Sequence, residues 1–559
     1  MLRKPFGKWL SRRVRRAGAP RPRAVCPRLE YLEDRLVPDA VSNTGDSGSG
    51  SLRQAILDAN SGVSTAITFT VAGTITPATP LRPLTRAGTV IDATTAPGFA
   101  NTPVVALDGS TTHGTGLDVE ANTVTIKGLA IINWSDGIDI GLTNAVTGTT
   151  IQRNFVGITT DGGTAGPNTN GIGVFKSANA LIGGASGSSP APSNVISGNT
   201  MTGIDVVGGA GTNSGTAIQD NIIGPAFARP GPPATGGVAQ FQGSGILVQG
   251  GAVGTLIGGP GQGNQIFDNV NGIQLLGGTG TLVQGNTIGL LVSLTGKFSQ
   301  PNSNDGVLVN TNTASPVTIG GTTPETANTI SVSQHDGVEV MAGTSGVAIL
   351  GNPIFASGNL GIELHDGANN NATPPVLGGA VRTSDTTVVV SGSLTAAANT
   401  TYRLEFFDTS FSFIDAGVSF VAAESVTTDP TGNASFSLTL SVQTNPDPNG
   451  TDLITATATD PVNNTSQFSA EVTVTPPPSP GPGPAPLPPS QSFDTRRVFW
   501  DALLAADGFL TGNLLLFLAG ALDFRSLSSP LSGPTLGQAQ QQFSANFSWS
   551  LVTLIALGV

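Results

Sequence analysis

A single cysteine, Cys26, stands in 559 residues. That excludes an internal disulfide and a thiolate metal cluster, so stability has to come from stacking or from ions. Charge is scarce: Asp, Glu, Lys and Arg make up 11%, less than half the usual share. Aromatic residues are 5%, with four tryptophans and two tyrosines, so platforms for stacking on sugars are few. The three histidines, His113, His335 and His365, are scattered along the chain. No apolar run reaches the ~18–20 residues of a membrane span; the longest, Leu514 to Leu522, falls well short of it.

What is abundant is glycine, 75 residues, and proline, 39. Val, Ile and Leu are frequent and regularly placed, so this is not the composition of a disordered chain. It suits short strands joined by tight turns. The net charge is −12, and roughly half of the Lys and Arg precede Gln54. The body is therefore strongly acidic and lacks the basic footprint that nucleic acid needs.

Phrases recur in fixed order. Ile182-Gly183-Gly184 returns as Ile257-Gly258-Gly259 and Ile319-Gly320-Gly321. Asn194-Val195-Ile196 returns as Asn264-Gln265-Ile266 and Asn328-Thr329-Ile330. Val156-Gly157, Ile223-Gly224 and Ile288-Gly289 form a third set. Such self-similarity marks a repeat architecture. Within it, one element (glycine, apolar, any residue, apolar) begins at Gly137, Gly171, Gly203, Gly245, Gly272, Gly306, Gly337 and Gly361. Side chains alternate along a strand, so the apolar pair points inward and stacks on its counterpart one turn away. These spacings predict an all-β, right-handed parallel β-helix over 41–371, with two turns per long repeat. The glycine is expected to permit a bend into the strand. Asn199, Asn221, Asn269 and Asn286 are expected at turns, tolerating left-handed backbone or bonding to nearby backbone. Three inserts, 158–170, 225–244 and 290–305, occupy equivalent places and should emerge on one side.

Other segments differ. Ser51 with Gln54 fits a capping box, and Leu52, Ile56 and Ala59 share a helical face. A helix over about 51–60, ended by Asn60 and Gly62, would cover the open end of the solenoid. Six short strand signals over 372–475, from Thr387-Val388-Val389 to Ala470-Glu471-Val472, suggest an Ig-like β-sandwich without the Cys and Trp of antibody domains. A Pro-rich linker follows at 476–490. The tail, 491–559, carries amphipathic helical patterns at Phe499–Leu510 and Leu514–Phe524. Residues 1–40 form a basic leader with arginine pairs but no apolar stretch, so they do not read as an ordinary secretory signal.

Leu29-Glu30-Tyr31-Leu32-Glu33-Asp34-Arg35 resembles a leader seen on very large bacterial surface or secreted proteins. Gly50-Ser51-Leu52-Arg53-Gln54-Ala55 resembles a CSLREA-type opening motif, with Gly50 and Gln54 in place of Cys and Glu. Ile91-Asp92-Ala93-Thr94-Thr95-Ala96-Pro97-Gly98-Phe99, Leu107-Asp108-Gly109 and the stretch Ala456 to Ser469 match phrases of the same group. Over about 41–475 the chain is similar to bacterial β-helix repeat proteins of the cell surface. The resemblance implies an extracellular or cell-surface location and no defined reaction.

Chemistry has to be argued separately, because a fold hosts many activities. β-Helices include polysaccharide lyases and polygalacturonases. Ser135-Asp136-Gly137-Ile138-Asp139 imitates part of a polygalacturonase site, but the sequence has no Asp-Asp pair and no Gly-His-Gly. A lyase needs a basic proton acceptor and commonly Ca²⁺ on carboxylates; the few Lys and Arg show no aligned spacing. Trp134 is a candidate sugar platform, with a core or strand-end position the stronger reading of a lone tryptophan among strands. The outward position of the eight elements reads Asp139, Gly173, Asp205, Leu247, Gln274, Leu308, Glu339, Glu363. Asp139, Asp205 and Gln274 are candidate ligand-binding residues. Glu339 and Glu363 fall on adjacent turns about 5 Å apart, where two carboxylates hold a cation such as Ca²⁺, raise a pKa, or simply form a solvated acidic edge. The expected function is an exported, non-catalytic scaffold or adhesin that contacts polysaccharide or other envelope components. The alternative is a pectate-lyase-like enzyme or a glycan-binding protein.

Overall fold

The computed structural model describes residues 38–184, 194–209, 213–224, 242–293, 296–311, 314–384, 386–409, 417–442 and 452–476. The basic leader up to residue 37, nearly all of the second insert (225–241), most of the linker and the whole expected helical tail lie outside the described residues.

Three long sheets wind together. Their strands pair in chain order, so each strand's neighbours are the corresponding strands one turn before and one turn after. Sheet 1 runs from Asp39–Val41 to Ser345–Leu350 in eleven strands, sheet 2 from Gly73–Ile75 to Ile354–Phe355 in ten, and sheet 3 from Thr115–Val119 to Ile362–Leu364 in nine. The pairings between turns are parallel and in register, as in Ile172 with Ile204 and Ile273 with Val307. This is a parallel β-helix, as the repeats predict. The inward column Ile138, Ile172, Ile204, Ile246, Ile273, Val307 is fully buried. Sheet 3 begins one turn before the predicted series, at Gly116-Leu117-Asp118-Val119, which carries the same signature.

The column glycines do not bend the chain; none of them from Gly137 to Gly337 has a positive φ. They are glycine because turns touch there. A Cβ on Gly245 would lie 2.6 Å from the carbonyl oxygen of Gly272, and Gly137, Gly203, Gly272 and Gly306 each meet the next glycine's oxygen at the same distance. The Ile-Gly-Gly glycines are different: Gly183 has φ 95°, and its Cβ would stand 1.8 Å from Gln219 O.

The expected turn asparagines prove to be interior. Asn154, Asn194, Asn221, Asn264, Asn286, Asn328 and Asn352 are buried and stacked. Each Nδ2 donates to the next Oδ1, as from Asn194 to Asn221 (2.8 Å) and from Asn264 to Asn286 (2.9 Å). Each also donates to a main-chain oxygen one turn back, as Asn264 does to Ile218 O at 2.8 Å. A second column runs Asn168, Asn199, Gln242, Asn269, Asn302. The left-handed φ falls on residues just before several of these asparagines, including Asp220, Asp268 and Gly285. Buried amides paired this way satisfy corner backbone groups that would otherwise be orphaned.

Both ends are closed. At the N-terminal end the helix Leu52–Ser61 buries Leu52, Ala55, Ile56 and Ala59. Ser51 Oγ accepts from Gln54 N at 3.2 Å, and Gly62 ends the helix in left-handed conformation. The expected box is only half formed: Ser51 N already donates to Gly48 O, and the Gln54 amide donates to Asp58 instead. At the C-terminal end, a seven-stranded β-sandwich follows, with its own core around Leu404, Phe406, Phe436 and Ala456. Its first strand, Val376–Ser384, was not among the six sequence signals. It meets the last turns of the β-helix: Ile349 N donates to Thr465 Oγ1 (2.9 Å), Gly351 N to Glu405 Oε2 (2.7 Å), and Ile354 and Gly417 exchange two main-chain bonds. Phe407 and Phe468, edge-to-face with centroids 5.4 Å apart, extend the β-helix core into the sandwich. The three inserts leave between sheets 2 and 3 as expected; the last forms the antiparallel hairpin Leu290–Ser293 with Gly296–Ser299.

Removing Asn264 leaves the buried Asn221 N without its acceptor, at about 1–3 kcal/mol, and also deletes the amide's bonds to Ile218 O and Asn286. Asn264→Ala is therefore expected to lower stability by at least about 2 kcal/mol. Gly245→Ala should cost about 1–3 kcal/mol through overpacking. Asn144→Ala, on the exposed surface, should stay within about 0.5 kcal/mol. Urea melts of the three variants check the order.

Candidate functional site

The outward column of sheet 3 is in register throughout, from Asp118 and Asp139 through Gly173, Asp205, Leu247, Gln274 and Leu308 to Glu339 and Glu363. Consecutive acidic residues fall at its two ends; between them Gly173, Leu247 and Leu308 alternate with Asp205 and Gln274.

Most of the candidate binding residues are engaged by their neighbours. Asp139 is only 2% exposed, because a Cβ-less Gly173 lets the Phe175 ring fold beside it. Its Oδ2 accepts from Thr115 Oγ1 at 2.9 Å, while its Oδ1 has no partner. Burial, reinforced by Asp136, pushes its carboxyl up to about 7. Asp118 beside it is also raised to about 7, by burial and then by Glu120. Asp205 is partly buried and accepts twice from Gln249, and Gln274 accepts from Ser244 Oγ at 2.8 Å. Trp134 is not a platform. It is 2% exposed, donates from Nε1 to Leu107 O, and fits a slot left by Gly109 and Gly116. Asp139 and Trp134 are thus removed from the surface by packing that glycine positions one turn away make room for.

The C-terminal end is different. Glu339 and Glu363 are register partners, as their spacing predicts. The structure adds residues from the positions just before the column glycines. Asp305 and Asp336 are fully buried. His335 Nδ1 lies 3.0 Å from Asp305 Oδ1 and 2.7 Å from Asp336 Oδ2. His365 Nε2 lies 2.8 Å from Glu339 Oε1. Asn359 Nδ2 and Leu360 N donate to Asp336 Oδ1, and Asn304 donates to Asp305. Donor atoms of His335, Asp336, Glu339 and Glu363 all lie within 4.8 Å of one another. Among the described residues no Lys or Arg is ion-paired with the group.

The electrostatics follow from that composition. Burial raises the Asp305 carboxyl to about 6, and a hydrogen bond shared with Glu339 adds to it. Glu363 is raised by a hydrogen bond shared with Asp336, then by burial. Burial pulls the His335 imidazole down, but the bond to Asp305 and the surrounding carboxylates outweigh it, and the net direction is up. His365 is raised, first by its bond to Glu339. Two of the three scattered histidines therefore meet at one acidic cluster able to hold a metal ion. The missed signal was a polar pair before consecutive column glycines, Asn304-Asp305-Gly306 and His335-Asp336-Gly337.

No protein-family model matches this chain, and no curated protein matches it. Among solved structures, a crystal structure of alginate lyase from Paenibacillus sp. str. FPU-7 is similar over 59% of this chain and 99% of that one, at 14% identity and a TM-score of 0.32.

A carboxyl raised on folding stabilises at low pH. Its contribution is whole below the unfolded value of about 3.9 and is lost as pH rises through the folded one. For Asp118 and Asp139 that loss spans the interval from about 3.9 up to about 7. Asp139→Asn, which cannot ionise, is expected to melt above the wild type at pH 8, with the advantage shrinking toward pH 4. Thermal melts across that range check it.

Proposed function

We propose that this chain is an exported cell-surface or secreted protein that spaces or adheres to envelope components without turning them over. The observation that carries this reading is how its basic residues are used. Arg53 bonds Asp46 and the main chain of Thr79 and Pro80; Lys127 pairs with Asp92; Lys176 donates to Thr143 O. Arg153 donates to Asn101 and lies over Phe99, Arg382 pairs with Asp452, and Arg403 pairs with Glu405. A β-eliminating enzyme needs a basic group free to accept a proton from the sugar acid; these six are held in structural contacts, while Arg82 and Arg86 are exposed. A solenoid with a helix at one end and a sandwich at the other suits a spacer. The leader and opening motif, by their resemblance to those of surface proteins, support export. The partner class that fits is a polysaccharide or another envelope polymer.

One observation favours a second reading, a polysaccharide-cleaving enzyme. A buried carboxyl raised to about 6 sits beside a half-exposed imidazole, a pairing suited to acid–base chemistry near neutral pH. A glycan array and an assay for unsaturated uronides and new reducing ends, both run on the full chain, separate the two. Glycan retention with no new ends is the expected result, and fractionation of cells carrying the tagged chain should place it in the envelope or medium. Steady release of unsaturated product or new ends would replace the scaffold reading with the enzymatic one.

A further inference from the structure

We infer that His335, Asp336, Glu339 and Glu363 form a site for one divalent ion of the zinc class, with Asp305 and His365 orienting two of the ligands. The first ground is proximity. Two ligands of one zinc ion, each at roughly 2.0–2.2 Å, stand at most about 4.4 Å apart. The four donors here lie within 4.8 Å of one another with no ion between them, so small side-chain rotations close the set.

The second ground is a donor deficit inside the cluster. Asp336 is fully buried, and its Oδ2 accepts no hydrogen bond although its Oδ1 accepts two. The nearest donor atom, His335 Nδ1, carries at most one proton and is already bonded to Asp305 Oδ1 at 3.0 Å. That nitrogen stands between two buried carboxylates, 3.0 Å from Asp305 Oδ1 and 2.7 Å from Asp336 Oδ2; Asp305 Oδ1 also accepts from Asp336 N, whereas Asp336 Oδ2, buried out of water, faces the cluster with that one shared proton nearest it, a poor arrangement for a buried carboxylate. A cation bound at Nδ1 in place of that proton would be met by Asp336 Oδ2, Asp305 Oδ1 would keep its bond from Asp336 N, and the proton would leave to solvent.

The third ground is the chemistry of the donors. Calcium takes six to eight oxygens, many from carbonyls and water. Here one imidazole, His335, joins three carboxylates, a small set that includes the nitrogen donor suited to zinc and its neighbours. The arrangement around each ligand fits too: Asn359 and Leu360 N fix Asp336, and His365 fixes Glu339. Such outer partners are what hold metal ligands in place. An ion here ties the strand Val338–Val340 to Ile362–Leu364, the last rung of sheet 3. The site is independent of whether the protein binds a polymer.

The test uses the full chain, untagged, with Cys26→Ser to remove the only thiol. Calorimetric titration with Zn²⁺ should show one equivalent bound, more tightly than Ca²⁺, and a raised melting temperature. Co²⁺ should give a visible absorption spectrum that changes in His335→Ala. His335→Ala and Glu363→Gln, both at partly exposed positions, should each weaken Zn²⁺ by tenfold or more while melting normally without metal. His113→Ala, the remaining histidine, should change nothing. The inference is overturned by no saturable Zn²⁺ uptake, by uptake that His335→Ala and Glu363→Gln leave unchanged, or by Ca²⁺ binding more tightly than Zn²⁺.

Discussion

Parallel strands stacked about 4.8 Å apart satisfy their own backbone along the sheets, but the corners between sheets are another matter. There the chain changes direction, and its N–H and C=O groups point along the stacking axis with no strand to receive them. In this molecule the answer, at two of the three corners, is a column of amide side chains. Asn221 shows the full pattern: its main-chain N and its Nδ2 both donate to Asn264 Oδ1, and its Nδ2 also reaches Ile182 O. An aspartate could accept there but not donate, and an alanine could do neither. The corner therefore requires the same residue on turn after turn. The one exception in the second column, Gln242, keeps the amide and changes only its reach.

That requirement fixes the rest. If corners repeat in register, the strands between them repeat in register, and Ile stacks on Ile without a disulfide. Close stacking then forces glycine wherever two turns touch, as at Gly245 against Gly272. It also means the stack cannot simply stop, since its first and last turns would expose a row of unpaired groups. The helix Leu52–Ser61 ends one side. On the other, Glu405 of the sandwich takes Gly351 N, one residue before the last ladder asparagine. Glu405 is fully buried and held by Arg403, so the sandwich supplies a charged acceptor where the amide column runs out.

The periodic part of this design was legible in the sequence because it is enforced at every turn. Ile-Gly-Gly, Asn-x-Ile and glycine-apolar-x-apolar each record one position that stacking leaves no freedom to vary. Their reasons were less legible. Both a bend and a contact call for glycine, and Gly245 does not say which. Asn221 reads as a turn residue because surface asparagines usually are. Asp139 was misplaced for a further reason: alternation along a strand says which side a residue leaves from, not what covers it afterwards. Phe175, two residues beyond Gly173 and one turn away, covers Asp139, and nothing local to Asp139 records that. The Glu339–Glu363 pair was legible from register alone. Asp305, Asp336 and the two histidines were not, because they sit outside the four-residue element and are specific to the last turns.

A one-dimensional stack also sets what acidic residues can do. Like unit charges about 4.8 Å apart repel by about 3–4 kcal/mol at an effective dielectric of ~20, so two carboxylates on adjacent rungs cannot both stay ionised without help. The outward column of sheet 3 meets this problem at both ends and answers it in two ways. At Asp118 and Asp139 the surroundings are buried and without a cation, and the answer is a proton, with both carboxyls raised to about 7. At Glu339 and Glu363 the column is partly open to solvent and brings in His335 and His365, groups that accept either a proton or a metal ion. In the first pair Asp139 is buried and Asp118 half-buried; in the second both carboxylates are half-buried beside an exposed His335. Glu339 and Glu363, on the turns beside the sandwich, are carboxylates both crowded and within reach of water, and that is where a cation has a reason to replace a proton.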